Sequence, residues 1–290
     1  MAHKVYGSYG EYQPEILEKL HKTQLDMLAD FKMVCEKHNI NYFAIAGTAI
    51  GVVRHQGFIP WDDDIDIAML RKDYEKFMKF GPEELKDRYE FMGPDMEHKY
   101  YNLQPAMVKK GTKLVTETAW AAGLKTGIFL DIFIYENIPD DMDEAMKIIK
   151  KTNFYKLLYV IRNVNFFKLV KGGDFSKKLK NIISGILRLF LLLVPNGNER
   201  IYKKYIKYAT SYYGKTNTYT ALCDPGASFM WVKEDEIYPM VELPYENTTM
   251  KMLNKYEAQL KRHMGNYMEI PPENKRTNHC PKELDFGPEA

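Results

Sequence analysis

Three features of the sequence predict an α/β (α+β) fold, a sheet flanked by helices with a helical insertion. Apolar residues recur at helical spacing from Pro14 to His38. In "DIDIAML" the apolar Ile65, Ile67 and Met69 alternate with Asp64, Asp66 and Ala68, the period-2 signature of a strand, and "GIFLDIFIYE" supplies a second apolar strand further on. From about Met142 to Tyr213 the chain turns helical in pattern, lysine-rich and aromatic, with no strand signal.

In chain order, Ile16, Leu17, Leu20, Leu25, Met27, Leu28, Phe31, Val34 and Cys35 form the apolar stripe of the first helix, and "KHNIN" ends it. "YFAIAG" reads as a buried strand broken at Gly47. "TAIGVVRHQGFIPW", carrying Gly51, Gly57 and Pro60, reads as a loop or short helical turn. The strand around Asp64 to Met69 leads into a helix over "RKDYEKFMKF", where Arg71 and Asp73 are expected to pair near the helix start. From "YTALCDPG" onward short strands are followed by a helix over "TTMKMLNKYEAQLKRHMG" and an irregular tail, "NYMEIPPENKRTNHCP", whose prolines prevent a continuing helix. The division expected is 1–145 for the first helix and the core with its acidic site, 146–215 for the helical insertion, and 216–290 for the part that completes the unit.

The 290 residues, 45% hydrophobic and 28% charged, suffice for one large domain or two small ones. Forty-one Lys and Arg against 39 Asp and Glu leave a net charge of +2, too balanced for a nucleic-acid binder driven by bulk charge. Cys35, Cys223 and Cys280 are odd in number, far apart and without CxxC spacing, which suits reduced structural thiols in a cytoplasm. "MAHKVYGSYGEYQPEIL" holds no apolar leader segment, so a cytoplasmic location is expected. The longest apolar run, Ile182 to Val194, contains Arg188 and falls short of the roughly 20 residues a spanning helix needs. It is expected to be a buried helix of the insertion. Lys177, Lys178 and Lys180 before it and Arg200, Lys203 and Lys204 after it give the alternative, a helix lying at an anionic membrane face.

The densest chemistry lies in "IPWDDDIDIAM", with four carboxylates in five positions from Asp62 to Asp66. Two carboxylates about 4 Å apart repel by roughly 4 kcal/mol at an effective dielectric near 20, so the cluster must either splay into water or gather around a cation. A calcium loop would use Asp62, Asp64 and Asp66 as its positions 1, 3 and 5. It would also need Gly and Glu where Ile67 and Asp73 stand. A DDxxD diphosphate site, matched by Asp62, Asp63 and Asp66 with "DDMDE" as an imperfect second copy, needs its acids one turn apart on helices, against the alternation seen. In the third reading Asp64 and Asp66, two apart on a strand, share a face and a divalent ion. Asp131 then comes from the neighbouring strand, and Gly47-Thr48 lets the backbone approach a phosphate. Arg54, with His55 beside it, lies between the phosphate turn and the acids, where a guanidinium would clamp phosphate. Asp62 and Asp63 either orient ligands or stay solvated as a strand cap, and Trp61 is expected to be a packing anchor. This is the logic of a metal-dependent nucleotidyl or phosphoryl transferase.

The segment "GTAIGVVRHQGFIPWDDDIDIAMLRKDYEKF" resembles the signature of the LicD family of phosphorylcholine transferases, related to the fukutin group within the nucleotidyltransferase fold superfamily. The superfamily pattern falls on Gly47-Thr48, Asp64, Asp66 and Asp131. The tail is similar in "ELPYEN", "GNYMEIPPENKR" and His279, and the likeness runs from about Asn39 to His279. Thr48 stands where the wider superfamily favours Gly or Ser, and "HMG" at His263 to Gly265 replaces a Tyr-Gly. The resemblance implies a nucleotidyltransferase-like mixed sheet and a Mg²⁺ ion, with Mn²⁺ as the alternative, on Asp64, Asp66 and Asp131. It implies transfer of phosphorylcholine from CDP-choline, or a similar phospho-alcohol from another CDP-alcohol, to a hydroxyl of a bacterial cell-surface glycan, lipopolysaccharide or teichoic-acid-type precursor, lipid-linked in some members. Arg71, Lys275, Arg276 and His279 join the nucleotide-binding set, the last three closing over it, and Asp131 is the expected proton acceptor. A non-catalytic nucleotide or glycan binder of the same fold is the competing class.

Overall fold

The computed structural model describes residues 12–96, 100–170, 175–279 and 281–288. Cys35 and Cys223 are buried free thiols, and Cys280 lies outside the described residues.

The chain opens with α1 (Pro14–Lys37), whose proline sits in the first turn where a missing N–H is harmless. Next come β1 (Phe43–Ala44), α2 (Ala46–His55), β2 (Asp66–Leu70), α3 (Arg71–Glu84), β3 (Tyr89–Met92), β4 (Ala106–Lys109), β5 (Lys113–Val115), α4 (Glu117–Ala122) and β6 (Phe129–Ile138). Three helices follow, α5 (Met142–Asn163), α6 (Phe175–Leu192) and α7 (Gly197–Ala209), with a 3-10 turn at Phe166–Leu169 between the first two. The chain ends with β7 (Thr218–Ala221), β8 (Val232–Lys233), α8 (Glu234–Ile237), β9 (Val241–Tyr245), β10 (Thr248–Met252), α9 (Tyr256–Met264) and β11 (Glu283–Asp285).

β6 is the axis of a seven-stranded mixed sheet. One edge pairs in parallel with β2, which is flanked by β1. The other edge takes β4 over Phe129–Asp131 and β7 over Tyr135–Ile138, both antiparallel, so one long strand serves two partners end to end. β3 extends the sheet beyond β4, and β8 beyond β7.

The alternation foreseen in "DIDIAML" is present, but both sheet faces are buried. Ile65, Ile67 and Met69 pack with Leu130, Ile132, Ile134 and the stripe of α1, including Leu28 and Phe31. Ala68 and Leu70 pack on the other face with Phe133, Tyr135, Ala221 and Val232. A third cluster, including Ile149, Tyr159, Tyr205 and Ala209, joins α5 to α7. Because side chains alternate along a strand, Asp66 and Asp131 continue the rows of Ala68 and Phe133.

Four expectations need correcting. The strand at "YFAIAG" stops at Ala44, because Ala46 takes a positive φ of 48° and the chain turns at once into α2, so that "TAIGVVRH" takes the helical of the two forms expected for it, over more residues than a single turn. The helix expected from Thr248 begins only at Tyr256, and "TTMKM" instead pairs in register with "VELPY", its turn made by Glu246 at φ 51°. The β-branched Thr248 and Thr249 favour that extended state. Arg71 pairs not with Asp73 but with Glu136, its Nε donating to Oε2 at 3.1 Å and its Nη2 to Oε1. Asp73 instead accepts the backbone N–H of Asn41 at 2.9 Å. The run Ile182 to Val194 is not a core helix, since α6 buries only Asn181 and Gly185.

Both members of the Arg71–Glu136 pair are buried, at 9% and 2% exposure. Removing one leaves the other charge uncompensated in the interior, so Arg71→Ala is expected to lower the unfolding free energy by about 3–5 kcal/mol. Changing Arg71 to Met and Glu136 to Leu together is expected to recover most of that loss in urea titrations.

Candidate active site

The parallel register of β2 and β6 sets Asp66 directly beside Asp131. Asp64 lies just before the first paired residue of β2, where the backbone carbonyl of Ile65 accepts the N–H of Asp131 at 3.1 Å. Carboxylate oxygens of Asp64, Asp66 and Asp131 all lie within 4.8 Å of one another. The acids predicted to share one face therefore meet at one point. The calcium-loop and DDxxD readings do not survive this geometry, because the segment after Asp66 is a strand followed by α3 and the acids are not presented from helices.

Such crowding is costly without a counter-charge. Burial first, then the charges of Asp64, Asp131 and Asp62, raise Asp66 well above the ordinary carboxylate range. Burial and the charge of Asp64 push Asp131 up to about 7. Asp131 Oδ1 is buried and has no hydrogen-bond partner. An orphaned carboxylate oxygen among three hard oxygen donors matches what a divalent cation requires, and the acidic group could hold one.

The phosphate turn is built differently from its sequence reading. Thr48, in the first turn of α2, uses its hydroxyl to accept the N–H of Asp66 at 2.8 Å, which fixes the start of β2. Gly47 gives room to a protein carboxylate, since a Cβ there would come within 2.5 Å of Asp62 Oδ2. Asp62 is raised well above its usual range by burial, then by Asp64 and Asp63.

Asp63 is 2% exposed and is not a solvated cap. It accepts the Tyr12 hydroxyl at 2.8 Å and the backbone N–H of His279 at 2.9 Å, while the His279 ring Nδ1 lies 3.0 Å from Oδ1. Burial would raise Asp63, but the bonds and charge of His279 and the Tyr12 hydroxyl outweigh it and hold the group low. Nδ1 of His279 also lies 3.2 Å from Asp64 Oδ2. The charge of Asp64, then the bond to Asp63, raise this histidine strongly, although its side chain stays 55% exposed and solvent screens part of the effect. The tail thus lays a cationic ring across the acids, a task for Asp63 that only a contact 216 residues away defines.

The remaining expected residues divide. Arg54 donates from Nη1 to the carbonyls of Tyr267 at 2.7 Å and Glu269 at 3.1 Å and from Nε to His55, so it fastens the tail to α2. Trp61 lies under the guanidinium of Arg276 at 4.4 Å and meets the ring of His55 edge-on. Arg276 also donates to the carbonyl of Pro271 at 3.1 Å, and Lys275 is exposed on a short 3-10 turn. Arg71, the first residue of α3 and a whole strand beyond Asp66, about 16 Å along the extended chain, is not brought to the acids. Gln104, 6% exposed and placed beside Asp131 where its side chain favours the ionised carboxylate, is a site residue that no motif announced.

A mixed sheet that gathers three carboxylates at adjoining strand starts defines a nucleotidyltransferase-type domain. Residues 39–159 match the family described as LicD/FKTN/FKRP, nucleotidyltransferase domain. The chain is 27% identical over 258 residues, 88% of its length and 92% of the relative's, to the lipopolysaccharide cholinephosphotransferase LicD of Haemophilus influenzae. It also shares 38% identity over 68 residues, 23% of the chain and 22% of the relative, with an uncharacterized protein of Rickettsia typhi, and 45% over 47 residues, 16% and 18%, with one of Rickettsia prowazekii. Residues 39–159 thus carry a LicD-family nucleotidyltransferase domain, and the similarity over most of the chain to the Haemophilus influenzae protein supports the same family.

The raised carboxylates carry a pH signature. Asp131 has a folded pKa near 7 against 3.8 for the free group, so the folded state holds the extra proton between those values, and its contribution to stability is lost as pH rises through them. His21, His55 and His263, held low by burial, act in the opposite sense below their ordinary 6.5. The diagnostic quantity is therefore a difference. In metal-free buffer, the melting temperature of Asp131→Asn relative to wild type is expected to rise from about pH 5 to about pH 7.5, and a fixed concentration of divalent cation is expected to stabilise the wild type more than the variant.

Proposed function

We propose that this protein transfers phosphorylcholine from CDP-choline to a hydroxyl of a cell-surface glycan precursor, with a lipopolysaccharide or teichoic-acid-type chain as the acceptor class. The observation that carries the reading is the meeting of Asp64, Asp66 and Asp131 within a LicD-family domain. The named activity of the Haemophilus influenzae relative supports phosphorylcholine as the group moved and lipopolysaccharide as the acceptor.

Asp64, Asp66 and Asp131 would hold Mg²⁺, or Mn²⁺ in its place, which when bound neutralises charge on the donor diphosphate. The acceptor oxygen forms a bond to the phosphorus of phosphorylcholine, the bond from that phosphorus to the bridging oxygen breaks, and CMP departs with the electron pair. Asp131 is the group that takes the acceptor's proton. His279, fixed by Asp63, offers a positive group on the tail side of the site, with Arg276 and Lys275 further along the same tail. With a cytidine nucleotide as donor, the reaction would run on the cytoplasmic side.

Turnover of CDP-choline with Mg²⁺, read as CMP release, tests the reading. Loss of one carboxylate removes several kcal/mol of charge stabilisation, so Asp64→Asn, Asp66→Asn and Asp131→Asn are each expected to lower turnover by about 100-fold or more while the fold persists. Near-wild-type turnover in any of them removes that residue from the site. In thermal shifts with Mg²⁺ the preferred donor is expected to stand out among the choline, ethanolamine, glycerol and ribitol derivatives of CDP, since a ligand at 100 times its Kd adds about 2.7 kcal/mol. Binding of the donor without CMP release would support a non-catalytic binder instead.

A further inference from the structure

Helix α6 is amphipathic the wrong way round for a soluble protein. Its inward positions are small or polar: Asn181 donates from its side chain to the carbonyl of Leu169, and Gly185 lets the ring of Phe167 approach so closely that a Cβ would come within 2.7 Å. Ser184 and Arg188 fall on that same side by helical spacing and are only partly exposed. The outward stripe runs Leu179, Ile182, Ile183, Ile186 and Phe190, which lie on one side by helical spacing, and continues to Leu193 just past the helix end. These residues are 45%, 38%, 56%, 48%, 64% and 78% exposed. A surface helix ordinarily points its apolar stripe inward, and so long an exposed apolar strip marks an interaction surface.

The charges on the same helix say what that surface fits. From Phe175 to Asn198 the sequence has Lys177, Lys178, Lys180 and Arg188 and no acidic residue. By helical spacing Lys178 and Lys180 border the apolar stripe on opposite sides, where long side chains can lay their stems along an apolar phase and keep their ammonium groups at its charged edge. The helix is held firmly in this pose, for Arg162 of α5 donates to the carbonyls of Leu191 and Val194 at its end, the latter at 3.1 Å. No single helix among the described residues is long and apolar enough to cross a membrane.

We propose that α6 is a membrane-docking element that lies in the plane of an anionic lipid surface, its apolar stripe among the acyl chains and its lysines at the headgroup phosphates. The stripe supplies depth and the basic border supplies charge complementarity, so binding requires acidic lipid and weakens with salt. The inference stands on the helix alone and does not depend on the transferase reading. If a lipid-linked acceptor is used, the same helix would bring the acidic site to it.

Flotation with phosphatidylglycerol–phosphatidylethanolamine vesicles, against pure phosphatidylcholine vesicles, at low and high salt tests the proposal without any nucleotide. The wild type is expected to float with anionic vesicles at low salt and to be released at high salt. Replacing Ile183, Ile186 and Phe190 by Asp is expected to weaken binding at least tenfold with an unchanged melting temperature, because all three point outward. Changing Lys178 and Lys180 to Gln is expected to weaken anionic binding several-fold and to flatten its salt dependence. Failure of the wild type to float, or equal flotation of the Asp variant, overturns the proposal. Light scattering that shows a dimer of wild type dissociated by the Asp substitutions also overturns it, by assigning the stripe to a second copy of this chain.

Discussion

The mutual repulsion of three carboxylates held at adjoining strand starts is the constraint around which this molecule is arranged. Parallel pairing of β2 with β6 fixes Asp66 beside Asp131, and the approach to β2 brings Asp64 into the same space. A chain folding without counter-charge would be expected to splay these groups into water. Here Asp64 and Asp66 are buried, and the scaffold that resists splaying can be named: Thr48 bonding the N–H of Asp66, apolar layers on both faces of the sheet, and β6 stitched to β4 and β7 along its far edge. The rigidity that makes the cluster costly is also what would make it a preorganised cation site.

The carboxy-terminal tail follows from the same constraint. His279 reaches the acids through Asp63, and Asp63 is itself anchored from the other end of the described chain by Tyr12. Arg54 holds the tail at Tyr267 and Glu269, and Trp61 stacks beneath Arg276. Residues just before the acids thus fasten the segment that crosses them, tying the two ends of the chain at the site.

Much of this was legible in the sequence because it rests on local periodicity. Asp64 and Asp66 are two apart in an alternating run, so their sharing a face follows from the period of a strand, whereas Asp131, at the centre of a second apolar strand, meets them through the register of β2 with β6. The roles of Asp63, Arg54 and Arg71 were not legible, because each is set by a partner 65 to 216 residues away. Gln104 lies in no motif, and its part comes only from where the loop before β4 ends. For α6, hydropathy gave an apolar helix but not its orientation. The signal that would have given it was present in the small and polar Asn181, Ser184 and Gly185 at helical spacing, the wrong residues for a face meant to be the apolar contact.

The claim that the three carboxylates form one cation site is tested most directly by titration calorimetry of the purified protein with Mn²⁺, in wild type and in Asp64→Asn, Asp66→Asn and Asp131→Asn. Removing one of three hard oxygen ligands is expected to weaken binding at least about tenfold in every variant. Unchanged binding in all three, or no binding in the wild type, would contradict the account and leave the cluster as buried charge neutralised by protons and His279 alone.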